Sequence, residues 1–139
     1  MSNQQQSVEI PVPYLVSKLH EMGSMFYNDP STAYAELSIN EQRTFFIHKE
    51  YLEFQSNYFC DIFTKKKVKK GDLIKINLPS PDTFEIILEF FYFGDEDRFY
   101  DKLNIDNYYD VMKNVNLLGL SSEIKNICLA FYQDNREFL

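Results

Sequence analysis

The sequence predicts an α+β domain in which a small, mainly three-stranded sheet is covered by a cluster of five or six helices. Two observations carry this prediction. Apolar residues alternate over short stretches in the first half of the chain, and they recur at helical spacing over most of the second half. Strands and helices do not alternate as they do in parallel α/β proteins, so the helices are expected to pack on the sheet. At 139 residues the chain is long enough for one domain with its own core.

The N-terminal part predicts a tail, a short strand and a helix. Residues 1–7 are polar and rich in glutamine, which is typical of a flexible tail. Residues 8–10 alternate and predict a short strand. A helix follows, predicted from four apolar residues at helical spacing: Leu15, Leu19, Met22 and Phe26. Gly23 lies inside this pattern and weakens its second half, since glycine costs about 1 kcal/mol relative to alanine in a helix.

Three strands are predicted between residues 33 and 78. Residues 33–39 alternate, a polar turn follows at 40–42, and residues 44–47 complete a hairpin. Residues 73–78 alternate again and predict the third strand. Between the hairpin and this strand, Ser56 is a favourable N-cap for a short helix. The apolar face of that helix consists of Phe59, Ile62 and Phe63.

Three further helices are predicted in the second half of the chain. Ser80 and Pro81 begin the first, which Gly94 ends; Gly119 ends the second as a left-handed cap. Ser121 or Ser122 begins the last. Their apolar stripes are Phe84, Ile87, Leu88 and Phe91, then Tyr108, Val111, Met112, Val115 and Leu118, then Ile124, Ile127, Cys128 and Phe131. Residues 95–102 are acidic and polar and are expected to form a loop, and residues 136–139 a C-terminal tail.

The formal net charge of −7 argues against broad nucleic-acid binding, because the phosphate backbone requires a basic surface. One local exception is a run of five lysines before the third strand: Lys65, Lys66, Lys67, Lys69 and Lys70. Exposed charge runs are usually solvated loops, and a contact with an acidic partner is the alternative.

The remaining composition predicts a reduced protein without metal or cofactor. The two cysteines, Cys60 and Cys128, lie in apolar helical patterns, which is typical of core thiols in a reducing compartment. No apolar run reaches the length that spans a bilayer, so a cytoplasmic or nuclear location is expected. Metal-ligand spacing and a phosphate-binding glycine loop are both missing, and neither a cofactor nor a small-molecule substrate is expected.

The histidines give little support for an enzyme. His48 follows a predicted strand and is expected to be structural, while His20 is expected to be solvated on the first helix. A catalytic histidine would need a nucleophile or an orienting carboxylate beside it. The rival hypothesis is a small enzyme or ligand-binding domain that uses His48, Lys49 and the surrounding aromatic residues.

Several of these motifs, in their order, resemble the BTB/POZ domain family. A strand ends in His48 and Lys49, and a Ser-x-x-Phe helix with Ser56 and Phe59 follows. Residues 84–94 are similar to the family's Phe-x-x-x-Leu-x-Phe-x-Tyr-x-Gly helix, and residues 117–120 with Cys128 are similar to its closing helix pair. The resemblance spans residues 8–135 as one domain, and Val8-Glu9-Ile10-Pro11 with the first helix resembles the entry to the speckle-type POZ (MATH-BTB) subgroup.

The resemblance implies the BTB/POZ fold and an interaction module without catalytic residues. In the family the first helix packs against its copy in a second subunit, which implies a homodimer interface; a core position is the alternative for its stripe. The implied interface residues are Leu15, Leu19, Met22 and Tyr51. A cullin-like partner would contact Tyr58, Ile62, Lys67, Val68 and Lys70. The resemblance implies a structural role for His48, Lys49, Ser56 and Phe59.

Two departures from the family pattern limit what is carried over. Many members have an aspartate that pairs with the basic residue after the histidine; ungapped counting from His48 places Ala35 there, while Lys49 is retained. Cullin-binding members often have a hydrophobic-x-Glu motif in the loop that here contains Val68 and Lys70. The second departure weakens cullin binding, but the family order still makes a substrate adaptor of a cullin-type ubiquitin ligase the expected function. The alternatives are a dimeric scaffold or transcriptional regulator that does not bind cullin, and a monomeric adaptor.

Overall fold

The computed structural model describes residues 11–139, so the predicted strand at residues 8–10 lies outside the described residues. Within this range, three strands and eight α-helices follow the predicted α+β plan. The elements are α1 (Val12–Glu21), α2 (Gly23–Phe26), β1 (Ala35–Ile39), β2 (Arg43–Ile47), α3 (Lys49–Glu53), α4 (Asn57–Lys65), β3 (Leu73–Ile76), a 3-10 turn (Pro81–Thr83), α5 (Phe84–Phe93), α6 (Glu96–Lys102), α7 (Tyr108–Leu118) and α8 (Ser122–Asn135).

The sheet has the strand order β2-β1-β3. β1 and β2 form the predicted antiparallel hairpin, with Leu37 opposite Phe45, and β3 pairs parallel to β1, with Leu37 also opposite Ile74. These three residues are buried on the inner face of the sheet. The predicted hairpin and third strand are confirmed, whereas the parallel pairing had no signal in the sequence.

The helices of the second half bury the stripes that the sequence predicts. α5 ends at Gly94 and α7 at Gly119, both in the left-handed conformation with φ near +60°. Ser121 is the N-cap of α8, whose apolar stripe is buried against the rest of the core. The predicted C-terminal ends hold because left-handed glycine caps depend on local backbone conformation rather than on distant contacts. The predicted start at Ser80 and Pro81 is wrong for α5, since Pro81–Thr83 form a 3-10 turn and the α-helix begins at Phe84.

The predicted loop at residues 95–102 is wrong, since this segment contains the helix α6. Asp95 caps α6, with its side chain accepting a hydrogen bond from the Arg98 N–H at 3.1 Å. Phe99 is buried, and both Arg98 and Lys102 lie within 3.2 Å of Glu89 Oε1 on α5. A capping side chain and ion pairs to another helix stabilise α6, although its own apolar content is small.

The predicted first helix is two helices, interrupted at Met22. α2 begins at Gly23, which is buried against the C-terminal end of α5. A Cβ atom at this position would overlap the carbonyl oxygen of Tyr92. Gly23 is therefore required by the close approach of two backbones, and this contact fixes α1 and α2 on the outside of α5.

Candidate interaction surfaces

α1 forms a surface helix that buries no residue within the single chain. Pro13 lies in its first turn, where the missing N–H is harmless, and Lys18 pairs with Glu21 one turn later at 3.5 Å. Of the predicted interface residues, Leu15 and Leu19 are half-buried and Met22 is 40% exposed. Leu19 packs against the core cluster, so the stripe is partly covered within the single chain and partly open to a second copy.

Tyr51 supports α1 from inside the chain. It is only 2% exposed, its hydroxyl donates a hydrogen bond to the Leu19 carbonyl, and its ring stacks on Tyr92 at 4.2 Å. Burial raises the pKa of Tyr51 to about 12, so the hydroxyl keeps its proton and remains a donor. Tyr51 thus positions α1, whereas Leu15, Leu19 and Met22 reach the surface.

A groove of about 450 Å³ runs beside α1, between α1, the end of α3 and the start of α8. His20 and Gln55 lie in it, joined by a contact of 3.1 Å between Nε2 and Oε1. The Gln55 amide also donates to the carbonyls of Tyr51 and Phe91, at 2.8 and 2.7 Å. The expected solvated position of His20 is wrong. Its ring is half-buried in the groove, where it contacts the buried Gln55.

α4 and the lysine-rich loop after it form the second surface. Ser56 caps α4 as predicted: its hydroxyl accepts a hydrogen bond from the Phe59 N–H at 3.2 Å and donates to the Leu118 carbonyl at 2.7 Å. Phe59 is fully buried, Ile62 is 5% exposed, and Tyr58 is half-buried. The apolar members of the predicted partner surface therefore contribute mainly to the fold.

The lysine-rich loop after α4, residues 66–70 and below called the lysine loop, is held in place by hydrogen bonds. The Tyr34 hydroxyl donates to the Val68 carbonyl at 3.0 Å, and the Gly71 N–H donates to the Tyr34 carbonyl at 2.7 Å. The Asp72 carboxylate accepts from the Lys69 N–H at 2.8 Å. Val68 is half-buried while the lysines around it, including Lys67 and Lys70, are exposed. The loop thus presents its charges from a fixed backbone.

His48 is the centre of a hydrogen-bonded chain inside the domain. The Tyr92 hydroxyl accepts the His48 backbone N–H at 2.9 Å and lies 2.8 Å from Nδ1, to which it donates its own proton. Nε2 then carries the ring proton and donates it to the Thr32 hydroxyl at 2.8 Å, which reaches the Asp29 carboxylate at 3.1 Å. Both ring nitrogens are occupied by structural partners.

Burial shifts the pKa of both members of the His48–Tyr92 pair. Burial lowers the pKa of His48, outweighing the opposite effects of Asp29 and Glu50, and burial raises the pKa of Tyr92. Tyr92 is therefore a poor nucleophile at neutral pH. The Lys49 ammonium lies 5.8 Å from the Tyr34 ring centre. Ala35, at the position where many family members have an aspartate, is buried and cannot form an ion pair with Lys49.

Among residues 11–139, no group of three metal-ligating side chains comes together, and no helix is long and apolar enough to cross a bilayer. Both cysteines are free: Cys60 is half-buried and Cys128 is buried. Burial raises the pKa of Cys128 to about 11, so this thiol stays protonated and unreactive.

Sequence reasoning missed two contributors to these surfaces. Leu73 and Lys75 lie on the exposed side of β3 and line a groove with Ile62 and Val68. Alternation in residues 73–78 predicts the exposed side chains but not that β3 lies at an edge of the sheet, which depends on its pairing with β1. Gln55, which joins α1 to α5, had no sequence signal at all.

Comparison with known proteins gives one family and one fold. The profile of the family described as BTB/POZ domain matches residues 28–135. The BTB domain of zebrafish PATZ1 has a similar structure, with a TM-score of 0.65 and 19% sequence identity; the alignment covers 92% of this chain and 99% of that one. A search of curated protein sequences finds no match. At this identity the structural likeness supports the fold alone.

Proposed function

The chain belongs to the BTB/POZ domain family of protein-interaction modules, and on this premise we propose that it homodimerises through α1 and recruits a partner through α4 and the lysine loop. The observation that carries the dimer is that α1, a helix rich in apolar residues, fully buries none of them within the chain. The exposed apolar residues of α1, α2 and the junction between them are Val12, Tyr14, Met22 and Met25, the last 68% exposed.

A two-fold dimer would cover this surface in both copies with a single interface. Each copy presents the same helix, so one contact buries Leu15, Leu19 and Met22 twice. At roughly 25 cal/mol per Å² of apolar area, such a contact contributes several kcal/mol before the cost of association is subtracted. The support from Tyr51 and Gly23 keeps α1 in place without the partner, so the monomer is expected to remain folded.

Two roles for the dimer differ in the partner that α4 and the lysine loop recruit. A substrate adaptor of a cullin-type ubiquitin ligase is the role that the family order suggests. A scaffold or transcriptional regulator that does not bind cullin is favoured by one observation: Lys67 and Lys70 are exposed where cullin-binding members place a hydrophobic-x-Glu motif, and Ile62 is almost fully covered. Like charge or an unpaired charge at an interface costs several kcal/mol.

Two finer assignments accompany this proposal. Membership of the speckle-type POZ subgroup rests partly on residues 8–10, which lie outside the described residues, and stays a prediction. A cytoplasmic or nuclear location is proposed from the two free thiols, Cys60 and Cys128, because exported proteins usually pair their cysteines.

The solution mass by light scattering tests the dimer. The 16.6 kDa chain is expected at twice its mass, and Leu19→Asp is expected at its monomer mass with an unchanged circular dichroism spectrum. Leu129→Asp is the matched control, since Leu129 is an exposed leucine on α8, far along the chain from α1. A monomeric wild-type chain, or equal behaviour of the two variants, would contradict the α1 interface.

Adding a cullin N-terminal domain to the same samples separates the two roles. A complex that contains both proteins supports the ligase adaptor, and Lys70→Glu is then expected to strengthen it by supplying the missing acidic residue. A wild-type dimer that gains no cullin mass supports the scaffold instead.

A further inference from the structure

β3 is an edge strand whose outward backbone groups have no hydrogen-bond partner among residues 11–139. The carbonyls of Asp72 and Ile76 face β1, where they accept from the N–H groups of Glu36 and Asn40 at 3.0 and 2.8 Å. Backbone direction alternates along a parallel strand, so the N–H and C=O groups of Leu73 and Lys75 face away from the sheet. They form an open edge to which another extended segment can pair.

A groove of about 260 Å³ runs along this edge, between β3 and the end of α4. Its apolar lining comes from Ile62, Val68, Ile74 and Ile76, and from Leu73, which is 52% exposed. Its charged lining consists of Lys66, Lys75 and Asp72, whose carboxylate accepts the Lys69 N–H. An added strand would direct alternate side chains to the two sides of this groove, because strand side chains alternate in direction. One side is the exposed face of β3 with Leu73 and Lys75, and the other is the end of α4 with Ile62 and Lys66.

The charge at the edge differs sharply from that of the rest of the chain. Six of the 14 basic residues lie between residues 65 and 75, while the whole chain carries −7. Lys65 pairs with Asp61 at 3.6 Å; within the described part of the chain, the other five form no ion pair. The Tyr34 hydroxyl donates to the Val68 carbonyl and the Asp72 carboxylate accepts the Lys69 N–H, so a partner binds these lysines without having to order a flexible segment.

These charges select among possible occupants of the edge. Pairing of β3 with β3 of a second copy would bring two sets of lysines together, which disfavours self-association. The groove lining contains no aromatic side chain on which a nucleic-acid base would stack. An edge lysine can also serve only to prevent aggregation, but Lys75 alone would do so, and the pinned loop lysines extend beyond the strand.

We propose that the open edge of β3 and the lysine loop bind an extended acidic segment of a partner protein, which adds to the sheet as a fourth strand. The acidic side chains of the segment face Lys75 on the exposed side of β3, and the alternate apolar side chains enter the groove beside Ile62. Lys66, at the end of α4, attracts the negative charge of the segment. This inference rests on the proposed role as an interaction module and names the chemistry of the recruited partner. It does not depend on the α1 dimer.

Fluorescence anisotropy with a labelled eight-residue peptide of alternating glutamate and valine tests the charge and the backbone pairing separately. Combined Lys66→Glu and Lys75→Glu substitution is expected to weaken binding by roughly tenfold or more, because two charge contacts become repulsive. Lys125→Glu, an exposed lysine on α8, is the control and is expected to leave binding unchanged. A lysine–valine peptide is expected not to bind.

The backbone pairing is tested by Lys75→Pro against Lys75→Ala, since only proline removes the outward N–H. The proline variant is expected to bind about tenfold more weakly than the alanine variant, on the basis that an added strand depends on main-chain hydrogen bonds. A peptide N-methylated at alternate amides gives the same test with the wild-type protein if the proline variant does not fold.

Three binding outcomes would overturn the proposal. They are equal binding of the acidic and basic peptides, equal binding of the N-methylated and unmodified peptides, and tighter binding of a single-stranded oligonucleotide than of the acidic peptide. Light scattering of the same samples distinguishes a failure of the proposed edge-strand site from a failure of the proposed dimer. Loss of peptide binding with the mass unchanged concerns the edge, whereas a mass change in Lys75→Pro alone would make β3 an interface between copies and contradict the proposal.

Discussion

α1 and α5 are both helices of ten residues with apolar stripes, but they have opposite environments. α5 buries six residues, including Phe91 and Tyr92, and α1 buries none. α5 packs against α1, α2, α3, α6 and α7, whereas α1 packs on α5 and α2. The comparison shows that helical spacing of apolar residues predicts a covered face without telling whether the same chain or a partner covers it.

The largest expected difference between the two helices comes from removing one aromatic side chain from each. Phe91→Ala is expected to lower the free energy of unfolding by about 3–5 kcal/mol, because a fully buried ring leaves a cavity. Tyr14→Ala, on the exposed side of α1, is expected to lower it by at most about 0.5 kcal/mol. Urea unfolding at a protomer concentration low enough to keep both variants monomeric measures both losses.

An equal loss in the two variants would show that α1 is as much a part of the folded core as α5. A smaller loss for Phe91→Ala, below about 2 kcal/mol, would show that α5 collapses around the cavity. Analytical ultracentrifugation of Tyr14→Ala completes the test, since weaker self-association at unchanged monomer stability is expected of a side chain that a second copy covers.

A smaller effect is expected where the two regions touch, at Gly23. Gly23→Ala is expected to lower the free energy of unfolding by about 1–3 kcal/mol, because the added methyl group overlaps the Tyr92 carbonyl and neither backbone can move alone. Gly71→Ala is the matched control for glycine replacement: its Cβ meets open space, but its φ of +91° makes the change costly by about 1 kcal/mol.

The two variants separate packing from backbone strain. If Gly23→Ala costs no more than Gly71→Ala, the close approach of α2 to α5 is not tight in solution. A Gly23→Ala variant that also loses self-association would indicate that this approach sets the position of α1 for the dimer.

Much of the fold could be predicted because its signals are local. Ser56 caps α4 with a hydrogen bond three residues away, and Gly94 and Gly119 end their helices through their own φ angles. These signals depend on neighbouring residues and survive in any tertiary context. The same is true of the alternation that predicts the hairpin, in which the turn determines the register.

The elements that sequence reasoning missed depend on distant contacts. α6 has one buried residue, Phe99, and is held by the ion pairs of Arg98 and Lys102 with Glu89 on α5. α3 has five residues, too few to show a period. The edge position of β3 comes from its parallel pairing with β1 across α3 and α4, so the candidate site at Leu73 and Lys75 could not be derived from the pattern alone.

The smallest effect concerns His48. This residue contacts Tyr92 of the interior helix α5 on one side, and Thr32, which is bonded to Asp29, in the loop before β1 on the other. Burial lowers its pKa below the ordinary value of 6.5. The unfolded chain therefore binds a proton at a higher pH than the folded chain. Stability from the neutral ring is complete above about pH 6.5 and is lost as the pH falls through the lower folded pKa.

Urea unfolding of the wild type and His48→Asn at pH 7.5, 6.5 and 5.5 measures this difference. The wild type is expected to lose more stability than the variant over this interval, although His48→Asn starts lower because it breaks the contacts with Tyr92 and Thr32. Glu53→Gln is the control, since burial raises the pKa of Glu53 and its titration shifts stability in the opposite direction. A wild type that gains stability on acidification relative to His48→Asn would show that attraction by Asp29 and Glu50 outweighs burial. The carboxylates of Asp29 and Glu50, rather than burial against α5, would then determine the charge of this histidine.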